Sequence, residues 1–362
     1  MPWFDQADPG SQFFLLLLPG LIIAMFGLVQ LLALSLAVGF ELRAASRRRR
    51  GVRTLWDAWP SVSVIVPARD AASVLGNCVR SIGRTRYSRY EVILVDEGST
   101  DSTAELMASF AAADPRIKVV RQPGRGRAAA RNLGVRHAAG DVLMFVDADA
   151  IFSRCTVDAM LQGFEDRHTG AVYGNDSPVR WSHVPGGLLA GIGHLGAAIT
   201  RRALAEVGGL PLLPGGIEAF PREILAELGP FREGEAGAEL ELAWRVRKAG
   251  YRVAFAPLAR VRTASASTLR DLWRLRSRRA RALLQAHRDV TGTPLPKFLL
   301  RNRWLVPLVP VHSVFTALAV LAGSGRHLRG LSARRDKQSP AASVGPGADG
   351  DDAWRALREA WA

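Results

Sequence analysis

Short apolar runs alternate along this chain with segments in which apolar residues recur at helical spacing. Val62-Ser-Val-Ile-Val66 predicts a strand stopped by Pro67, and Leu75, Cys78, Val79 and Ile82 then fall on one helical face. Tyr90 to Val95 predicts a second strand, with Met107 and Phe110 on the helix after it, and Ile117 to Val120 a third. Gly124-Arg-Gly-Arg leads into a small-residue helix, and the unbroken apolar run Val142 to Val146 reads as a strand buried on both faces. A helix from Ser153 presents Val157, Met160, Leu161 and Phe164, and Ala171 to Tyr173 resumes the sheet. Glu239 to Lys248 predicts a helix stopped by Gly250, followed by a strand from Tyr251 to Phe255. Strands and helices alternating at this pitch imply an α/β fold with a doubly wound, largely parallel sheet. The stretch from Gly174 to Gly216, rich in glycine and proline, carries no clear pattern and reads as a binding loop or cover.

Longer hydrophobic stretches bracket this domain. No charged residue lies between Asp8 and Glu41, and Phe13 to Phe40 as a helix exceeds the ~30 Å hydrocarbon core of a bilayer. The acidic start and the length argue for a retained transmembrane anchor rather than a cleaved signal peptide. Arg43, Arg47, Arg48, Arg49, Arg50 and Arg53 follow the span and no basic residue precedes it, which predicts that everything after it is cytosolic. Thr268 to Arg288 reads as a basic amphipathic helix on the membrane surface. Leu305 to Gly323 is a second hydrophobic segment, and Asp336 to Asp352 has the composition of a disordered tail. The expected organisation is an anchor over 1–45, a cytosolic α/β domain over 60–262, an interfacial helical region over 263–330, and a mostly disordered tail over 331–362.

Composition narrows the chemistry. The formal charge of +15 sits in clusters beside hydrophobic segments, not along an aromatic-interleaved face, so anionic membrane lipids fit it better than nucleic acid. Cys78 and Cys155 have no Cys or His partner nearby, which excludes a zinc pattern or a disulfide framework. No Walker loop, Gly-x-Ser-x-Gly elbow or His-Glu-x-x-His motif occurs. Asp147 and Asp149 directly follow the central strand, at the edge where open α/β sheets bind ligands. Two such carboxylates can hold a hard divalent cation and, through it, a diphosphate. The competing reading is an Asp that caps the helix from Ser153. Gly124-x-Gly126-x-x-Ala129 formally matches a dinucleotide fingerprint, but the first βα turn, Val66-Pro67-Ala68-Arg69, has no glycine.

Together, Val-Ile-Val-Pro67-Ala68-Arg-Asp70, Val95-Asp96-Glu97-Gly98-Ser99-Thr100-Asp101, Ala130-Arg131-Asn132-x-Gly134 and Val146-Asp147-Ala-Asp149 resemble the family 2 inverting glycosyltransferases of GT-A fold, over roughly Val62 to Pro257. The resemblance implies a sugar-nucleotide site in which Pro67, Ala68, Asp70, Asp96 and Glu97 meet base and ribose. It implies Asp149 as the ligand of Mg²⁺ or Mn²⁺, with Asp147 touching ribose or metal. Arg127 and Arg131 stand where they would offset charge on the leaving diphosphate. The family's acidic motif maps onto Ala238-Glu239-Leu240-Glu241-Leu242, which makes Glu239 the expected base that deprotonates the acceptor. The competing reading makes Glu239 and Glu241 helix-start charges that complement the dipole.

Arg276-Ser-Arg-Arg279 resembles the first part of the Gln/Arg-x-x-Arg-Trp motif of processive and lipid-glycosylating members, which implies Arg276 and Arg279, with Glu241, at the diphosphate or acceptor. This sequence departs from the family pattern at Ala71, Glu97, Ala238 and Ala280, the last replacing an expected Trp. The implied enzyme is membrane-anchored, acts at the cytoplasmic face and makes single transfers from a nucleotide-diphosphate sugar to a lipid or lipid-linked acceptor. A non-catalytic scaffold that binds sugar nucleotide or lipid, and a dinucleotide-dependent oxidoreductase, are the alternatives.

Overall fold

The computed structural model describes residues 28, 30–46, 59–164, 166–178, 198–203, 205, 216–234, 237–263 and 285. In chain order the elements are α1 (30–46), β1 (Val62–Ala68), α2 (Ala72–Gly83), β2 (Tyr90–Asp96), α3 (Thr103–Ala113), β3 (Ile117–Arg121), α4 (Arg127–His137), β4 (Val142–Val146), β5 (Ile151–Phe152) and α5 (Thr156–Leu161). Then come β6 (Thr169–Pro178), α6 (198–203), β7 (Ile217–Pro221), α7 (Arg222–Leu228), α8 (Ala238–Lys248) and β8 (Arg252–Thr263).

The strands form one sheet in the order β3-β2-β1-β4-β7-β6-β8-β5. Its first half is parallel, as the apolar runs predict: β1 pairs with β2 and β4, and β2 with β3. The second half corrects the expectation of a largely parallel sheet. β7 runs antiparallel to both β4 and β6, and β5 antiparallel to β8, so the sheet is mixed. A short helical crossover enforces parallel pairing, whereas the long connection from Pro178 to Ile217 leaves β7 free to enter in the opposite sense.

Alternation along the strands splits the core into two layers. Val64, Leu94, Met144 and Val172 face one cluster together with Leu75, Cys78 and Met107 from α2 and α3. Ile65, Ile93, Phe145 and Phe220 face the other, with Val135 of α4, Leu225 of α7 and Leu242 of α8. Pro67 is tolerated in the central strand because β4 stops pairing with β1 at Ile65, before the missing N–H is needed. Gly134 lets α4 lie directly on the sheet, since a Cβ there would sit 2.4 Å from Ile65 Cγ2.

At the amino edge a polar cluster locks the strands. Glu91 Oε1 accepts from Ser63 Oγ and from Ala139 N–H, both at 2.6 Å, and Lys118 pairs with Oε2 at 2.8 Å.

α1 is the end of the hydrophobic span, and the rest of that span lies outside the described residues. Ala33, Ala37, Phe40 and Ala44 are buried, while Leu31, Leu32, Leu34, Val38 and Leu42 are exposed. Glu41 pairs with Arg202 of α6 at 2.6 Å, and the Phe40 ring meets Phe255 of β8 at 6.1 Å. Among the described residues no helix is long and apolar enough to cross a membrane. The basic helix with Arg276 and Arg279, the segment Leu305–Gly323 and the tail lie outside the described residues.

Candidate active site

Parallel pairing brings the carboxyl ends of β1, β2, β3 and β4 to one edge, where their loops hold one another. Glu97 N–H donates to the Ala68 carbonyl at 2.9 Å. Gly98 has φ +75°, and a Cβ there would lie 3.1 Å from Gly124 N, so the close approach of the loops after β2 and β3 favours glycine at position 98. Asp70, itself at φ 48°, accepts from Thr100 N–H at 2.8 Å and Thr100 Oγ1 at 3.1 Å. The Thr100 amide is the main cause that lowers the Asp70 carboxyl pKa below its ordinary value. Asp101 accepts from Ala72 N–H at 3.2 Å and Thr103 N–H at 3.0 Å, tying the starts of α2 and α3 together.

Asp96, expected at the nucleotide, is only 1% exposed. Its Oδ1 accepts from Ser99 N–H at 2.9 Å, and Arg121 Nε lies 2.9 Å from its Oδ2. In this arrangement Asp96 organises the loop, with Arg121 lying over it. Glu97 is buried, which raises its carboxyl pKa against the opposing pull of Arg127, Arg69 and Arg131.

Asp147 and Asp149 leave β4 as the sequence predicts, both partly exposed. β5 intervenes before α5 begins at Thr156, so Asp149 does not cap that helix. Arg127 Nη1 lies 2.9 Å from Asp147 Oδ1, and Arg131 Nη2 lies 3.9 Å from the same oxygen. Beneath the pair, Cys78 Sγ is 3.7 Å from the Asp147 carbonyl oxygen. Burial, followed by the charges of Asp149 and Asp147, pushes its thiol pKa up, which keeps it unreactive.

Arg131 sits at the centre. Its side chain is 6% exposed and lies over the Phe145 and Phe231 rings at 5.6 Å and 5.3 Å. Nη1 is 2.5 Å from Glu218 Oε1 and 3.1 Å from Glu239 Oε1. Burial opposes its charge, but Glu239, Glu218 and Asp147 outweigh burial and raise its pKa. Glu218 is a site residue that sequence reasoning misses. The available signal is an acid inside the apolar run Ile217-Glu-Ala-Phe220, next to a stretch that reads as a cover loop. β7 places Glu218 opposite Phe145 of β4 and Tyr173 of β6. Burial pushes its carboxyl up to about 7 despite Arg131. The Tyr173 hydroxyl lies against it, although that hydroxyl's hydrogen bond is a long one, 3.5 Å, to the Glu239 carbonyl oxygen.

Glu239 occupies the first turn of α8, after Gly237 at φ 99°, and its side chain is 24% exposed. The loop before α8 is held from two sides. Asn132 of α4 donates to the Phe231 carbonyl and accepts from its N–H, each at 2.9 Å. Arg245 donates to the carbonyls of Leu228 at 2.6 Å and Pro230 at 2.7 Å. Glu241, expected at the diphosphate or acceptor, faces two arginines instead of open solvent. It is 1% exposed and lies 2.9 Å from Arg245 Nη2 and 3.3 Å from Arg232 Nε. Two residues along a helix turn the side chain to the opposite side, so the partly exposed Glu239 meets Arg131 while Glu241 meets Arg245 and Arg232.

Among the described residues no group of three or more His, Cys, Asp or Glu is placed to hold a metal by itself. Asp147 and Asp149 still suit Mg²⁺ or Mn²⁺, because such ions are commonly held by one or two carboxylates plus the phosphates of a substrate. The glycine run Gly124–Ala129 opens α4 after β3, the edge strand, and not after a first strand, so it lacks the dinucleotide context.

A mixed sheet with helices on both faces, an Asp-x-Asp at its carboxyl edge and a carboxylate on a following helix define a GT-A-like fold. A mannosyltransferase structure from Pyrobaculum calidifontis, in complex with GDP-Man and Mn²⁺, superposes with a TM-score of 0.59 at 23% identity, covering 91% of this chain and 95% of that one. Residues 63–227 match the family described as glycosyl transferase family 2. Glycosyltransferase GlyG of Streptococcus pneumoniae is 35% identical over 115 residues, 32% of this chain and 38% of that protein. Poly-beta-1,6-N-acetyl-D-glucosamine synthase of Staphylococcus aureus is 25% identical over 239 residues, 66% of this chain and 58% of its own length. The chain therefore spans less than two thirds of either relative.

Proposed function

We propose that this protein is an inverting glycosyltransferase that moves a sugar from a nucleotide-diphosphate sugar to a hydroxyl of a lipid or lipid-linked acceptor at the cytoplasmic face of a membrane. The observation that carries the reading is the placement of Asp147 and Glu239 around one buried guanidinium, that of Arg131, within a family 2 domain. The donor's nucleoside fits the carboxyl ends of β1 and β2 and the turns that follow, where Pro67, Ala68, Asp70, Asp96 and Glu97 lie. Its diphosphate fits beside Arg127 and the Asp pair. Mg²⁺ or Mn²⁺ bound by Asp149 and Asp147 would supply Lewis-acid stabilisation of the leaving phosphate.

Glu239 takes the proton of the acceptor hydroxyl as its oxygen attacks C1 of the sugar. The C1–O bond to the diphosphate breaks, and the electron pair leaves with the nucleoside diphosphate. Attack from the side opposite the leaving group inverts the anomeric centre. Arg127, with half its side chain in solvent, is placed to steady the departing charge.

The membrane assignment rests on the hydrophobic span that ends in α1, on the arginines after it, and on the exposed apolar side of α1. Anionic lipid headgroups suit those arginines.

A panel of sugar nucleotides with Mn²⁺ or Mg²⁺, offered against a membrane-lipid extract with product mass determined, tests the reading. One donor is expected to be turned over, and Asp149→Asn to abolish it. No turnover of any donor, with Asp149→Asn indistinguishable from wild type in nucleotide binding, sinks it. Tight donor binding without turnover favours the scaffold reading, to which the ion pair restraining Glu239 lends support.

A further inference from the structure

We infer that Glu218 is a positioning residue for sugar transfer, holding Arg131 so that Glu239 keeps a fixed place at the cleft without surrendering its charge to a full ion pair. The inference rests on the glycosyl-transfer reading above.

Packing alone does not account for a carboxylate at this position. Glu218 is 2% exposed, and its face of the sheet is otherwise lined by Phe145, Tyr173 and Phe220. A well-packed apolar side chain of similar volume in place of a buried ion pair is often neutral or stabilising, so the pair is weakly explained by stability. What the carboxylate does is visible in Arg131. A single Nη1 lies between Glu218 Oε1, at 2.5 Å, and Glu239 Oε1, at 3.1 Å, the shorter contact going to the acid farther from solvent.

The guanidinium therefore stays seated on the Phe145 and Phe231 rings, and its charge is divided between two carboxylates. With Glu218 neutralised, Arg131 has only Glu239 and Asp147 to face, and Glu239 becomes its dominant partner. A carboxylate locked in that way is a weaker base and a less mobile one. Glu218 itself takes no proton from the acceptor. It acts through Arg131 on Glu239.

Steady-state kinetics of the full-length protein with the donor it turns over test this. Glu218→Gln keeps shape and removes charge. Its kcat is expected to fall at least tenfold while the donor KM stays within twofold and the thermal midpoint stays near wild type. Because Glu218 acts through Glu239, the pair Glu218→Gln/Glu239→Gln should be no slower than Glu239→Gln alone. A wild-type kcat for Glu218→Gln overturns the inference, as does a loss confined to donor KM, or a loss that adds fully to that of Glu239→Gln. Should Glu218→Gln fail to fold, Tyr173→Phe takes its place. Loss of the hydroxyl beside Glu218 should lower kcat a few-fold at unchanged donor KM, and no change in kcat overturns the inference. Absence of turnover by wild type itself removes the parent reading and this one with it, whereas an inactive Glu239→Gln beside a fully active Glu218→Gln removes this one alone.

Discussion

Arg131 faces Glu218 at 2.5 Å, with 6% and 3% of the two side chains in solvent. Removing one partner of such a pair strands the other charge in the core, whereas removing both leaves only apolar packing to restore. Arg131→Met is therefore expected to destabilise the domain by roughly 3–5 kcal/mol. Arg131→Met/Glu218→Met should recover part of that loss, since Glu239 and Asp147 still lose their cation, and equilibrium denaturation of the two variants checks both statements.

The same pair sets a pH dependence of stability. Burial pushes the Glu218 carboxyl up from 4.5 to about 7 in the folded protein. The folded state thus holds this proton more tightly than the unfolded chain, and stability falls wherever the folded state binds more protons as pH rises. Its contribution is full below about 4.5 and is lost as pH climbs through about 7. Thermal midpoints of wild type should fall across that window relative to Glu218→Gln, which has no carboxyl to titrate there.

Much of this site is legible in the sequence, for local reasons. A buried parallel strand announces itself as an apolar run, and the residues just past its end land at the carboxyl edge. The places of Asp96, Glu97, Asp147 and Asp149 along the chain are legible on that ground. Glu239 is found because the family's acidic motif maps onto Ala238–Leu242, at the start of a helix stopped by Gly250. The environment of a side chain is not legible. Nothing local says that Asp96 lies beneath Arg121 or that Glu241 is buried, although its i,i+4 spacing to Arg245 can be read from the sequence. Glu218 escapes sequence reasoning because β7 is five residues long and reaches the sheet by a long connection. Its partners are also distant in sequence, with Arg131 eighty-seven positions away. The direction of β7, and with it the mixed character of the sheet, is decided by that connection and not by the strand's own residues.

Arg245 offers a separable test of the loop clamp. Its guanidinium joins Glu241 to the carbonyls of Leu228 and Pro230, and Glu241 is 1% exposed. Arg245→Met leaves Arg232 as the remaining cation beside Glu241 and strips those carbonyls of their donors. A loss of roughly 3 kcal/mol is expected. Proteolysis should quicken in the loop before α8, and limited digestion with mass mapping would locate the cut.

Close packing of α4 on the sheet sets Arg131 at its depth. A Cβ on Gly134 would come within 2.4 Å of Ile65 Cγ2 and 3.4 Å of Val95 Cγ2. Gly134→Ala must therefore lift the helix or shift Ile65, at about 1–3 kcal/mol. Pairing it with Ile65→Ala, which removes the obstructing methyl, should make the two changes less than additive in a double-mutant cycle.

If, as proposed, Asp149 is the main metal ligand while Asp147 touches ribose or metal, the same substitution should have unequal effects at the two positions. Asp147 Oδ1 is engaged by Arg127 at 2.9 Å and approached by Arg131 at 3.9 Å, so part of its charge is already met by the protein. Burial first, and then the charges of Asp149 and Asp147, raise the Cys78 thiol beside them. If the pair holds a divalent cation with the donor's phosphates, Asp149→Asn should weaken Mn²⁺ binding in the presence of a nucleoside diphosphate roughly tenfold or more, about 1.4 kcal/mol. Asp147→Asn should weaken it less. It should instead release Arg127, whose half-exposed pair contributes at most about 1 kcal/mol to stability. Calorimetric Mn²⁺ titration of both variants decides the order, and equal losses would mean that Asp149 is not the main ligand of the pair.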